Sequence, residues 1–360
     1  NAFTVFRDGT VRLTKAAGFN AIRCAHNPPS ESFLNACDEL GVLVMDEAFD
    51  CRKDGKNSND YARYFNEWWN RDLDSMILRD RNHPSIILWS IGNEIPGNDS
   101  VRVTETAKML AARVRQLDPT RPVTSAVQGV NPKKDPFFSA LDVCGYNYAL
   151  KWNEGYNYAT NAYVEDHQRH PGRVMLGTES FASQAFDYWM SAVDYPWVIG
   201  DFVWTGWDYL GESSIGWIGF GDPVYWPVAD CGDISITGVR RPQSYYRGAL
   251  FGDDAVNIFV WRPLPSFSET RRYDWGFDDV QASWSWPGYE GKHLAITIYS
   301  ACDEVELFLN GKSLGRRPTT RAQKFRADFG VDYEVGTLKA VGYKNGKAVS
   351  GNTLETAGNP

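Results

Sequence analysis

Two glutamates stand out because each closes a short apolar run. Ile86-Ile87-Leu88-Trp89-Ser90-Ile91 leads into Gly92-Asn93-Glu94, and Val174-Met175-Leu176 leads into Gly177-Thr178-Glu179. Such runs read as short strands buried on both faces. A carboxylate at the tip of a buried strand either caps the next helix and pairs with an arginine, or works as a catalytic group at the carboxyl end of a barrel strand. Taken alone, Glu94 fits both readings. A second carboxylate in the same setting shifts the balance toward chemistry. The two lie 179 − 94 = 85 residues apart, room for roughly two to three βα units of about 30 residues each. Two carboxylates at one barrel mouth are what glycoside hydrolysis needs, one to give and take a proton and one to attack the sugar or activate water. An apolar collar of Trp89, Ile91 and Ile95 would keep Glu94 protonated for the first task.

The elements that would hold these tips alternate along the chain. Residues 8–17 read as a helix stopped by Gly18, and 20–25 as a strand broken by His26-Asn27-Pro28-Pro29. Ser30 is placed to cap a helix carrying Phe33, Leu34, Cys37 and Leu40, which Gly41 ends. Val42–Met45 runs into Asp46-Glu47 as the next strand. Helical patterns cover 64–81, 101–117, 163–170 and 188–198, with strands near 88, 125, 145, 176 and 203. This alternation implies a parallel sheet with right-handed crossovers. The expected fold is α/β, a (β/α)8 TIM barrel with its first strand missing, because seven strands can be counted where eight close a barrel. The chain has no Met at position 1, and we expect a cut just after that first strand. Asn1–Arg7, with Phe3, Val5 and Phe6, would either stand in as a makeshift strand, or the barrel would stay open or borrow a segment from another copy; we favour an open or irregular barrel, in which any catalysis by these residues alone would be weak or absent. Residues 210–285 are rich in Gly, Pro and aromatics and carry no clear element. From His293 the apolar period becomes two, with Asn310-Gly311 and Asn345-Gly346 as hairpin turns. The expected division is a barrel with its extension over 1–285 and a small immunoglobulin-like β-sandwich over 286–360.

Composition sets limits. Hydrophobic residues make up 43% and the net charge is −8, so nucleic acid and insertion into a membrane are not expected partners. Aromatics reach 14%, with 14 Trp; beyond filling a core, flat apolar walls suit the C–H faces of a sugar. The six cysteines lack metal-ligand spacing, so buried free thiols and no metal site are expected. There is no phosphate-cradling glycine loop, and no cofactor is expected. Self-association is left open, and nothing separates the periplasm from the cytoplasm of a bacterium.

Taken in order, Arg23-Cys24-Ala25-His26-Asn27-Pro28, Asp46-Glu47, His83-Pro84-Ser85 through Asn93-Glu94, Gly177-Thr178-Glu179 and Phe202-Val203-Trp204 resemble glycoside hydrolase family 2 over roughly Asp8–Tyr246. That family holds β-galactosidases, β-glucuronidases and β-mannosidases. The tail from Asp303 to Lys312 looks like the immunoglobulin-like domain that follows the barrel in many bacterial members. The resemblance implies a carbohydrate substrate and a retaining mechanism, with Glu94 as general acid/base and Glu179 as nucleophile. It implies that Asn93 bonds the sugar 2-hydroxyl, that His26 and Trp204 line the sugar pocket, and that Tyr148 stands beside the nucleophile. Asp46 is the weaker match, as a sugar contact or a support behind one.

The departures are specific. Full members carry two β-sandwiches before the barrel, and with the expected cut both would be missing here. β-Glucuronidases carry an Asn-x-Lys pair after the last barrel strand, whereas Asp233–Pro242 here reads Asp-Ile-Ser-Ile-Thr-Gly-Val-Arg-Arg-Pro. Asp208-Tyr209-Leu210-Gly211-Glu212 looks like the β-galactosidase branch. The expectation is therefore an exo-acting, β-galactosidase-type hydrolase. β-Glucuronidase or another β-glycosidase is the nearer alternative, and a carbohydrate-binding protein without catalysis the more distant one.

Overall fold

The computed structural model describes residues 2–150, 161–212, 215, 228–263 and 275–358. The chain divides into two compact units, Asn1–Trp204 and Thr205–Pro360.

In the first unit helices and strands alternate: α1 (Ala2–Ala16), β1 (Ala21–Arg23), α2 (Glu31–Leu40), β2 (Leu43–Glu47), α3 (Ala62–Asp80), β3 (Ile86–Asn93), α4 (Val101–Leu117), β4 (Val123–Gln128), α5 (Asp135–Phe138), β5 (Cys144–Asn147), α6 (Ala162–Arg169), β6 (Met175–Glu179), α7 (Ala185–Asp194) and β7 (Val198–Asp201). The local signals act as expected. Ser30 caps α2 by accepting from the Phe33 N–H at 3.4 Å, and Gly41 closes it at φ 66°, a left-handed conformation that costs glycine nothing. Ser100 caps α4 in the same way.

The seven strands form one curled parallel sheet in sequence order, β1 to β7. Met45, Leu88, Val143 and Leu176 pack together from neighbouring strands as part of its core. Register keeps the carboxyl ends level: Glu47 pairs with Ser90, and Asn147 with Glu179. Irregularities between Ser90 and Asn93 and between Tyr146 and Asn147 re-aim the last side chains of β3 and β5.

Three expectations shift. Residues 2–7 open α1, so they do not form a makeshift strand, and among the described residues β1 and β7 remain the unpaired edges of the sheet. The last strand is Val198–Asp201 rather than Phe202–Trp204. The apolar triplet marks its continuation, where the Phe202 N–H still donates to Gly177 O at 2.8 Å and the Trp204 N–H to Ser180 O at 3.0 Å. The boundary expected at 285/286 lies too far along the chain, as the second unit shows.

That unit holds α8 (Pro242–Leu250) and two four-stranded antiparallel sheets. The strands are β8 (Asn257–Trp261), β9 (Val280–Gln281), β10 (His293–Tyr299), β11 (Glu304–Leu309), β12 (Lys312–Pro318), β13 (Arg326–Asp332), β14 (Thr337–Lys344) and β15 (Lys347–Glu355). One sheet runs β13-β10-β8-β9 and the other β12-β11-β14-β15. Ile296, Ile298, Val305, Leu307 and Leu338 close on one another from both sheets, with Trp284 fully buried among them. This is the expected β-sandwich. Its sheet already includes β8, because Ile258 and Val260 fill the same core and pair with β10.

Gly145 on β5 leaves no room for a side chain: a Cβ would lie 2.5 Å from the backbone oxygen of Ser125 and 2.8 Å from Thr178 Cγ2. Gly145→Ala should therefore force β5 off its neighbours and cost about 1–3 kcal/mol. Urea unfolding checks this; an unchanged midpoint would show that the sheet yields freely there.

Candidate active site

The strands end in a cluster of polar side chains inside an otherwise apolar sheet. Arg23, the last residue of β1, has a side chain only 3% exposed. Burying a guanidinium without partners is costly, so its position dictates what surrounds it. It donates through Nε and Nη2 to the two oxygens of Glu47, at 3.0 and 2.8 Å, a bidentate pair. Nη1 donates to Glu179 Oε1 at 2.8 Å and to Thr178 O at 3.1 Å, and Nη2 also reaches Asn93 Oδ1 at 2.9 Å. One cation thus joins the ends of β1, β2, β3 and β6.

Neutral amides extend the network to Glu94. Thr178 Oγ1 donates to Asn147 Oδ1 at 2.6 Å, which fixes that amide and turns its Nδ2 toward Glu94 Oε1 at 2.9 Å and Asn93 Oδ1 at 3.1 Å. His26 Nδ1 lies 2.9 Å from Glu47 Oε1. Since a carboxylate only accepts, Nδ1 carries the proton, and Nε2 is left to accept from Asn93 Nδ2 at 3.3 Å. The His26 ring stacks on Trp204 with centroids 5.0 Å apart and planes 6° from parallel. Tyr148 donates its backbone N–H to Glu179 O at 2.8 Å and stacks on Phe181 at 4.2 Å. Glu94 and Tyr148 both sit at positive φ, 42° and 55°, a strained conformation of the kind that clusters at working sites.

The two glutamates meet different fields. Burial pushes the Glu94 carboxyl up, the Glu179 charge adds to it, and it settles at about 7 despite the Asn147 hydrogen bond and the charge of Lys56. Glu179 has the Arg23 guanidinium against it. Glu47 behaves differently again. Burial alone would raise it, but Arg23, His26 and Ser90 outweigh burial and hold it at about 2.

The structure therefore gathers six of the seven expected residues: Glu94, Glu179, His26, Asn93, Tyr148 and Trp204. Asp46 is not among them. Its neighbour Glu47 points into the network, so by strand alternation Asp46 points the other way, toward α3. There burial and the adjacent Asp80 push its carboxyl up to about 8. Trp89 is not part of a collar around Glu94 either, since its indole N–H donates to Asp118 at 2.9 Å beyond the end of α4. Arg23, Glu47 and Asn147 were not expected. The available signal was that a buried arginine closing a strand requires carboxylates, and two such carboxylates lie at strand ends. Among the described residues no group of three or more His, Cys, Asp or Glu is arranged to hold a metal ion.

A parallel barrel-type sheet whose strand ends present one carboxylate paired with arginine and another raised by burial places two carboxyl groups in unlike surroundings at one mouth. Comparisons with known proteins agree with that arrangement. Residues 4–207 match the description "Glycosyl hydrolases family 2, TIM barrel domain", and residues 291–350 match a domain of unknown function, DUF4982. The chain belongs to glycoside hydrolase family 2. It is 31% identical to the β-galactosidase BoGH2A of Bacteroides ovatus over 97% of this chain and 46% of that protein. It is also 31% identical to a putative β-glucuronidase of Formosa agariphila, over 96% of this chain and 35% of that one. A solved family 2 member from Bacteroides cellulosilyticus superposes with a TM-score of 0.92 at 47% identity, covering 99% of this chain and 46% of the other. The chain thus spans less than half the length of these relatives.

The Arg23–Glu47 pair predicts a pH dependence of stability. The Glu47 carboxyl lies below its ordinary value of 4.5 in the folded state, so the stability it contributes is present above about pH 4.5 and is lost as the pH falls toward 2. The loss should be about 3 kcal/mol. Urea unfolding from pH 7 to pH 2 measures it, and Glu47→Gln should remove that part of the slope. Identical slopes for the two proteins would mean the pair contributes nothing of this kind.

Proposed function

We propose that the protein is a retaining, exo-acting β-glycosidase of the β-galactosidase type. Glu94 protonates the leaving oxygen, and Glu179 attacks the anomeric carbon to form a glycosyl-enzyme. Glu94 then takes a proton from the water that hydrolyses it. The observation that carries this reading is the contrast between the two carboxyls: Glu94 is held near 7 by burial and by Glu179, while Glu179 itself is bonded to Arg23. An acid must hold a proton at working pH, and a nucleophile must not. Asn93 is assigned to the sugar 2-hydroxyl, and the His26–Trp204 stack and Tyr148 to the walls of the sugar pocket. The galactosidase assignment rests on the likeness to BoGH2A and on the lack of an Asn-x-Lys pair in 233–242. β-Glucuronidase is the second reading, favoured by the Formosa relative.

A panel of aryl β-glycosides tests the substrate: cleavage of the galactoside well above the glucuronide is expected, and the reverse order would select the second reading. Sugar binding with no cleavage of any member would mean a carbohydrate-binding protein. Proton NMR of the first-formed sugar should show the β-anomer, and an α-anomer would end the double-displacement reading. Glu179→Gln should abolish turnover. Glu94→Ala should lower kcat about 10²–10⁴-fold on substrates with poor leaving groups. With an activated aryl glycoside, azide should restore much of that variant's rate by giving the β-glycosyl azide. Because Glu94 acts first as an acid, kcat/KM should fall as the pH rises through about 7; an alkaline limb that stays in place in Glu94→Gln would assign it to another group.

A further inference from the structure

Both ends of the Asn93 amide are held by the protein. Its oxygen accepts from Arg23 and Asn147, and its Nδ2 faces His26 Nε2 and donates to Asp50 Oδ1 at 3.1 Å. Asp50 lies three residues beyond β2 and is half-exposed, yet it does not hang free. Lys56 Nζ donates to the same Oδ1 at 2.6 Å. The loop that carries Lys56 is itself locked. Asp60 accepts from the backbone N–H groups of Lys56, Asn57 and Ala62 at 2.6, 2.8 and 3.0 Å, and a Cβ at Gly55 would lie 2.7 Å from its carboxylate. A long flexible lysine is thus delivered to one place, where its charge also acts on Glu94.

We propose that the Asp50–Lys56 ion pair is the positioning device for the carboxyl end of β3, with Asp50 fixing the amide of Asn93 and Lys56 fixing a positive charge that acts on Glu94. The pair rests on the roles proposed above for those two residues and extends them. Asp50 fixes which face of the Asn93 amide meets the sugar, since only the Nδ2 side can bond both a carboxylate and His26 Nε2. Lys56 opposes the two influences that keep Glu94 protonated, burial and Glu179. The other groups around Glu94 are His26 after β1, the Arg23–Glu47 pair, neutral Asn147 on β5, and Lys134 after β4. Lys134 is tied to Gln128 O and interacts with Asp99 as well as Glu94. Arg23 holds the oxygen of the Asn93 amide directly, and Lys56 is joined to its nitrogen through the Asp50 carboxylate. The Asp50–Lys56 pair therefore links binding and proton transfer at the end of β3.

The test is the titration of Glu94 in protein labelled with ¹³C at the glutamate carboxyls, the resonance being assigned by its loss in Glu94→Gln. Removing the cation in Lys56→Met should move the Glu94 midpoint up by roughly 0.5 pH, and Asp50→Asn, which leaves the lysine unneutralised, should move it down by a similar amount. Lys56→Arg should leave it in place. The alkaline limb of kcat/KM should follow the same three directions, and Asp50→Asn should lower kcat more than it raises KM, because the sugar contact of Asn93 is used most in the transition state. Midpoints that stay put, or that move the same way in Lys56→Met and Asp50→Asn, would overturn the proposal. The titration needs no substrate, so opposite shifts in a protein that cleaves no glycoside would uphold the positioning role and reject the glycosidase reading instead.

Discussion

The buried guanidinium of Arg23 is the interaction on which the site depends. A cation at that depth is tolerated only with full hydrogen bonding and compensating charge. Glu47 supplies a bidentate partner, Glu179 a second carboxylate, and Thr178 and Asn93 two further oxygens. The arrangement divides the carboxylates unequally. Glu47 and Glu179 share the arginine, and Glu94 receives only an amide hydrogen bond from Asn147 and more distant charges. Unequal surroundings for like groups are how one pocket holds an acid and a base at the same pH. Here the inequality follows from the reach of one side chain at the end of β1.

Amides serve between the charges for a related reason. Asn93 and Asn147 transmit orientation from Thr178 and Arg23 to Glu94 without adding charge of their own. A carboxylate at either position would raise Glu94 further, and a lysine would drive it toward the ionised form. Asn147 can act this way because Thr178 Oγ1 holds its oxygen at 2.6 Å, leaving the nitrogen with only one direction to point. The irregular register at the ends of β3 and β5 serves the same purpose, turning these side chains inward where regular pleating would alternate them.

Much of this was legible in the sequence because the signals are local. Apolar runs ending in Gly-Asn-Glu and Gly-Thr-Glu declared β3 and β6, and Ser30 and Gly41 bracketed α2. What was not legible depends on which way a strand faces. Asp46 and Glu47 are adjacent carboxylates on a strand buried on both sides, so no polar face marks the inner one, and choosing the wrong member turns the side chain from the site to α3. Arg23 stood within a quoted motif, but its partners come from residues 24 to 156 positions away, beyond the range of any pattern. In the second unit, β8 was hidden by its surroundings. Ile258-Phe259-Val260 is a plain strand signal, yet it follows a helix and precedes a Pro-rich stretch, so it read as an extension of the barrel.

The strand ends and the site are held by the same contacts in this chain. Among the described residues no backbone ladder joins β1 to β7, but Arg23 of β1 bonds Thr178 O and Glu179 of β6, and His26 just beyond β1 stacks on Trp204 just beyond β7. These side chains link strand ends that lie far apart in the sheet order. Backbone hydrogen bonds do not depend on residue type, but each of these contacts needs its own residue, length and charge. The polar groups proposed for the chemistry are thus also the groups that fix the strand ends relative to one another, and a substitution at one of them disturbs both.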